Sequence, residues 1–69
     1  MKTKLGQRIA IARCEQGLTQ QWVADTAGIT RPQLANIEGG RSRPSVDSFA
    51  CICRAIGVKM DDIYWSDRS

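Results

Sequence analysis

The stretch "TQQWVADTAGITRPQLANIEGG", from Thr19 to Gly40, constrains the fold of this chain more than any other. It carries two short apolar patterns of helical period with a glycine between them, and neither is long enough to stand as an isolated helix. Val23, Ala24 and Ala27 share one side of the first; Leu34 and Ile37 share one side of the second. Thr19 is placed to cap the first helix, and Gly28 can leave it through a positive φ at no steric cost. Thr30 opens the second helix. Gln33 follows three residues later, the spacing of a capping box, and Pro32 falls in the first turn, where a missing N–H costs nothing. Ala24 is small where the second helix must cross the first, and Ile29 continues the apolar seam through the turn. The spacing predicts helices over 20–27 and from about 31 to Gly39-Gly40, locked across a tight joint.

The rest of the chain repeats the same grammar. A first helix is expected over Lys4 to Gln16, with Leu5, Ile9 and Ala12 on one face, Gly17 as its stop and Leu18 packing after the turn. A fourth is expected over Val46 to Ala55. Ser45 is its N-cap, Asp47 favours the positive end of its dipole, and Val46, Phe49, Ile52, Cys53 and Ile56 fall at core spacing. Gly57 ends it. A short fifth helix is expected near Met60 to Tyr64, leaving Ile63 or Trp65 exposed. No run alternates with period two, so the expected fold is all-α: one compact domain of five helices spanning 1–69. Its core is mostly aliphatic, because Trp22, Phe49, Tyr64 and Trp65 are the only aromatics.

Several function classes fall away. There are three cysteines, Cys14, Cys51 and Cys53, and no histidine. An odd count in so short a chain argues against a disulfide scaffold, and three thiolates without a fourth ligand make a poor zinc site. Cys51 and Cys53 lie two apart on an expected helix and point about 200° from one another, so reduced thiols are expected. No apolar run approaches the roughly 18 residues of a membrane span, and Gln7, Arg8 and Arg13 interrupt any leader-like segment. The expected location is cytoplasmic, with no membrane contact. With no histidine, no paired-carboxylate cleft and no phosphate loop, neither an enzyme nor a cofactor is expected.

Charge points elsewhere. Ten basic residues stand against seven acidic, a net charge of +3. Residues 1–54 hold eight Lys/Arg and four Asp/Glu, and residues 55–69 hold two against three, a basic body with a weakly acidic end. Two helices joined by a tight glycine turn are the helix-turn-helix motif, whose second helix can lie in the major groove of DNA with its first turn on base edges. The outward residues there are Arg31, Pro32, Gln33, Ala35 and Asn36. Arg can bond guanine O6 and N7, and Gln or Asn adenine N6 and N7, although capping competes for Gln33; Pro32 and Ala35 can touch a thymine methyl. Thr19 and Gln20 open a helix whose N–H groups favour an anion, and Arg41 and Arg43 follow the reading helix on a loop that cannot bury them.

The segment "GLTQQWVADTAGITRPQLANIEGGRSRPSVDSFACICRAIGV" resembles the Cro/CI-type, or Xre-type, helix-turn-helix family of phage and bacterial repressors. The likeness runs from about Leu5 to Ile63. Its most specific pieces are Gly17-Leu18-Thr19-Gln20, Ala24 with Gly28-Ile29, Ile37-Glu38-Gly39-Gly40-Arg41 and Arg43-Pro44-Ser45. The resemblance implies a five-helix, lambda-repressor-like domain binding double-stranded operator DNA as a homodimer. It implies that Arg31, Gln33 and Asn36 contact bases. Gln20 would contact phosphate and brace its neighbours, and Gly40, Arg41 and Arg43 would contact phosphates; Thr19 and Thr30 are counted with them. It also implies a partly buried ion pair of Arg13 with Glu38, tying the reading helix to the scaffold. Three residues depart from the pattern: Pro32 stands in a slot often polar or small, Trp22 is expected to pack on the first helix, and Cys51 is expected to be exposed where lysine is common.

One small domain reads about four or five base pairs, too few to select a site, so a twofold dimer with half-sites about 34 Å apart is expected. The pairing surface is expected at the C-terminal end, from Ile63, Tyr64 and Trp65 with Ile52 or Val58 alongside. A start methionine and no effector module read as a compact regulator: a Cro-like repressor, a restriction-modification controller or an antitoxin-type autoregulator. The competing reading is a protein-interaction module whose third helix binds a partner such as a toxin. A contact of Glu15 or Asp25 with RNA polymerase is the remaining partner reading.

Overall fold

A computed structural model describes residues 4–63. The chain forms α1 (Lys4–Glu15), α2 (Gln20–Ala27), α3 (Arg31–Glu38) and α4 (Val46–Ile56), and residues 60–63 are again helical. The caps set these boundaries. Thr19, Thr30 and Ser45 hold extended backbone and accept at their side-chain oxygens from Trp22, Gln33 and Ser48 N–H, each filling one orphan donor of its helix. At the joint of α2 and α3, Gly28 has φ 78° and its turn closes with Ile29 N–H donating to the Ala24 carbonyl at 3.0 Å. That geometry brings Ile29 back against the core, where it is partly buried.

α2 lies between α3 and α4, and α1 packs across α3 and α4. The buried set is Leu5 and Ile9 from α1, Val23 and Ala24 from α2, Leu34 and Ile37 from α3, Phe49, Ile52, Cys53 and Ile56 from α4, and Ile63. Two helices meet closely at Gly6. A Cβ there would overlap the Ile37 carbonyl oxygen and sit 3.1 Å from that of Glu38, so α1 meets the end of α3 backbone to backbone.

Four expectations change. Val46 is 76% exposed and not core. Helical period assigns it a side but not a neighbour, and at this first residue of α4 none of the described residues covers it. Ile63 is 5% exposed and not left outside, because the last helical turn folds back toward Ile11, Ala12 and Val58 and buries it in the chain's own core. Trp22 is 48% exposed and not packed away, since Val23 and Ala24 take the inner side of α2. Cys51 is half-buried, whereas Cys14 is exposed and Cys53 buried; all three are free thiols. Burial pushes the Cys53 thiol up to about 11.

Candidate nucleic-acid interface

α3 is a short helix held at both ends. At its start the capping box is complete: Gln33 N–H donates to Thr30 Oγ1 at 3.2 Å, and Thr30 N–H donates to Gln33 Oε1 at 2.8 Å. Pro32 stiffens the same turn. Leu34, fully buried, and Ile37 anchor the inner side. Arg31, Pro32, Gln33 and Asn36 are all exposed. Burying the apolar stripe thus forces these four onto the opposite side, and the helix shows solvent a polar first turn and a half.

The far end of α3 carries a charge inside the protein. The Glu38 carboxylate, with 6% side-chain exposure, takes a fork of two bonds from Arg13 of α1, Nε to Oε2 at 2.8 Å and Nη2 to Oε1 at 3.0 Å. Arg13 spends a further donor, Nη1, on the Leu18 carbonyl at 2.8 Å, fastening the loop before α2. The hydrogen bond to Glu38 raises the Arg13 pKa above its usual value, partly opposed by burial. Planar fork geometry is what guanidinium offers and ammonium does not.

Gln20, the first residue of α2, continues this chain of contacts. Its Nε2 donates to Glu38 Oε1 at 3.1 Å, which turns its Oε1 outward to accept from Arg31 Nη1 at 3.5 Å. A line of polar contacts therefore runs from α1 through Glu38 and Gln20 to the exposed guanidinium of Arg31. Nothing in helical spacing announces it, because these partners are 25, 18 and 11 residues apart.

Exposed donors precede and follow α3 along the chain. After α3, Gly40 has φ 77° and Arg41 N–H closes on the Asn36 carbonyl at 2.9 Å, after which Arg41, Ser42 and Arg43 run exposed. Thr19 and Thr30 are exposed, and each hydroxyl used as a cap acceptor keeps its own O–H to donate. Asp25, on the outer side of α2, accepts at Oδ1 from Gln21 Nε2 at 2.8 Å. Of the residues expected to form a pairing surface, Ile52 is fully buried and Ile63 nearly so, which removes both from the free surface; Tyr64 and Trp65 lie outside the described residues. Among the described residues no cluster of His, Cys, Asp and Glu fits a metal ion, and no helix is long and apolar enough to cross a membrane.

Two short helices on a glycine joint, with a polar outer first turn on the second, meet a known pattern: the helix-turn-helix family model matches residues 9–63. The chain belongs to the helix-turn-helix family. It is of the Cro/CI, or Xre, type. This helix-turn-helix chain is 38% identical over 53 residues to the HTH-type transcriptional regulator YgzD of Bacillus subtilis, covering 77% of this chain and 80% of that one. It is 37% identical over 59 residues to the immunity repressor protein of Bacillus phage phi105; there it covers 86% of its own length but spans only 41% of the repressor. Among solved structures, the clp gene regulator ClgR from C. glutamicum superposes with a TM-score of 0.91 at 24% identity, covering 96% of this chain and 86% of that one, and so shares the all-α fold. The relatives of this helix-turn-helix protein are regulators of transcription, a class that does no enzymatic chemistry.

Proposed function

We propose that this protein binds double-stranded DNA in a sequence-specific manner, as a homodimer on a palindromic operator, and represses transcription from it or from its own promoter. The observation that carries this reading is the state of α3. Its outward first turns hold Arg31, Gln33 and Asn36, and its inner face and both ends are fastened to the scaffold. A rod so held can enter the major groove without first being ordered, so its contacts are spent on discrimination between bases. Arg31 suits guanine and Asn36 adenine, and Pro32 suits a thymine methyl. Thr19, Gln20, Thr30, Arg41 and Arg43 suit phosphates on either side: hydroxyl donors, an amide and two arginines. The Gly40 N–H is taken by the Ile37 carbonyl at 3.1 Å, so Gly40 serves by turning the backbone toward Arg41. The phi105 immunity repressor supports repression as the sign of the effect.

Homodimerisation follows from reach, since one α3 covers only about four or five base pairs and two a helical turn apart are needed to single out a site. Beside the C-terminal turn, the apolar candidate for a pairing surface among the described residues is Ile11 of α1, 49% exposed and lining a cleft of about 230 Å³ with Val58 and Ile63. The test is a selection of bound fragments from random duplexes, followed by titration of Arg31→Ala and Arg43→Ala on the selected site. Arg31→Ala should lose about 1–3 kcal/mol and relax the preference at one base pair, whereas Arg43→Ala should weaken all duplexes alike and flatten the salt slope by about one. Identical behaviour of the two variants, or a 1:1 complex on the selected site in sedimentation, would contradict the reading.

A further inference from the structure

The side chain of Gln33 is half committed. Its Oε1 accepts the Thr30 backbone N–H at 2.8 Å, and the backbone N–H of Gln33 is tied to Thr30 Oγ1 at 3.2 Å. The orientation of the amide follows from chemistry: Thr30 N–H is a donor and cannot bond the NH₂ end, so the oxygen must face the cap and the nitrogen must face away. Gln33 is exposed, and among the described residues none accepts from its Nε2. Pro32 next to it holds the backbone of this turn, and the amide is kept in place by the capping bond itself.

We propose that Gln33 reads its base pair as a donor alone and selects guanine over adenine. This rests on the reading of α3 as a helix in the major groove. The usual glutamine pairing with adenine needs both ends of the amide, an acceptor for N6–H₂ and a donor for N7. Here the acceptor is already used, and taking it back would break the capping box by leaving the N–H of its N-cap residue, Thr30, without a protein partner. What remains is an NH₂ group with two hydrogens. Guanine presents two neighbouring acceptors, N7 and O6, and suits it; adenine presents N7 beside an opposing N6–H₂; cytosine presents only a donor. The cap that makes the helix thus also determines which base this residue accepts.

Gln33→Glu separates the two roles. Glutamate completes a capping box as well as glutamine does, so α3 stays formed, but its free end is now an acceptor. Duplex selection is run on wild-type protein and on Gln33→Glu, with circular dichroism and thermal unfolding on both. The expected result is one position in each half-site that holds guanine for wild type, disfavours adenine by roughly five- to a hundredfold, and moves to cytosine on that strand for Gln33→Glu. The folding signal should be unchanged. Adenine at that position for wild type, or the same selected sequence for both proteins, overturns the inference while leaving sequence-specific binding intact. Absence of base preference at every position for wild type overturns the underlying reading of α3, and this inference with it.

Discussion

Removing the Arg13 guanidinium, as Arg13→Met, is the sharpest test of how α3 is held. In the intact protein the Glu38 carboxylate, 6% exposed, has a fork from Arg13 at 2.8 and 3.0 Å and one bond from Gln20 at 3.1 Å. Arg13→Met leaves that carboxylate with the Gln20 amide alone, and it also frees the Leu18 carbonyl. Breaking a buried pair from one side costs about 3–5 kcal/mol, and the 14% exposure of Arg13 puts this case at the lower end, about 3 kcal/mol. In a chain of this size that is a large part of the whole stability. The converse change, Glu38→Leu, leaves a guanidinium that can still reach Leu18 and water, and should cost less, about 2 kcal/mol. With both changes the charge is gone from both sides and the site is apolar, so the pair of substitutions should cost about 1–2 kcal/mol and not the sum of about 5. Urea unfolding followed by circular dichroism reads all three midpoints. Additive losses would show that Arg13 and Glu38 act separately, and the picture of a charge held by its fork would be wrong. A second reading comes with it. Glu38 also orients Gln20 toward Arg31, so the double variant, though folded, should bind its selected duplex less tightly.

Two further perturbations test the packing. Gly→Ala inside a helix ordinarily stabilises by about 0.5–1 kcal/mol, but Gly6→Ala should destabilise by about 1–3 kcal/mol, because the methyl meets the Ile37 and Glu38 carbonyls of α3. A higher thermal midpoint for Gly6→Ala would disprove the close approach. Burial holds the Cys53 thiol up at about 11, above its value of roughly 8.5 in an unfolded chain. Its raised folded value means that keeping it neutral helps fully below about pH 8.5, and the help is lost as pH rises toward 11. Thermal midpoints should therefore fall less steeply over that range for Cys53→Ala than for wild type, and parallel slopes would refute it.

Much of the fold was legible because its signals are local. Thr19, Thr30, Ser45, Gly28 and Gly57 each announce a boundary through the backbone groups they satisfy or the φ they permit, and all five do so within one turn of chain. The outward residues of α3 were legible for the same reason: Leu34 and Ile37 claim one side, and the remainder must face the other. Val46 and Ile63 were not. Period alone makes both equally apolar members of a helix face, yet one is 76% and the other 5% exposed. The difference lies in which distant segment reaches them.

The amino-acid order by itself determined that this chain would be short helices around an aliphatic seam, with a polar first turn on the third, since caps, breaks and helical period act over a few residues. Tertiary structure alone decided how that turn is aimed. The fork from Arg13 to Glu38, the passage through Gln20 to Arg31 and the contact of Gly6 with α3 join residues far apart in sequence. Such contacts depend on where whole helices come to rest, and that is set by the volume and shape of the core they share.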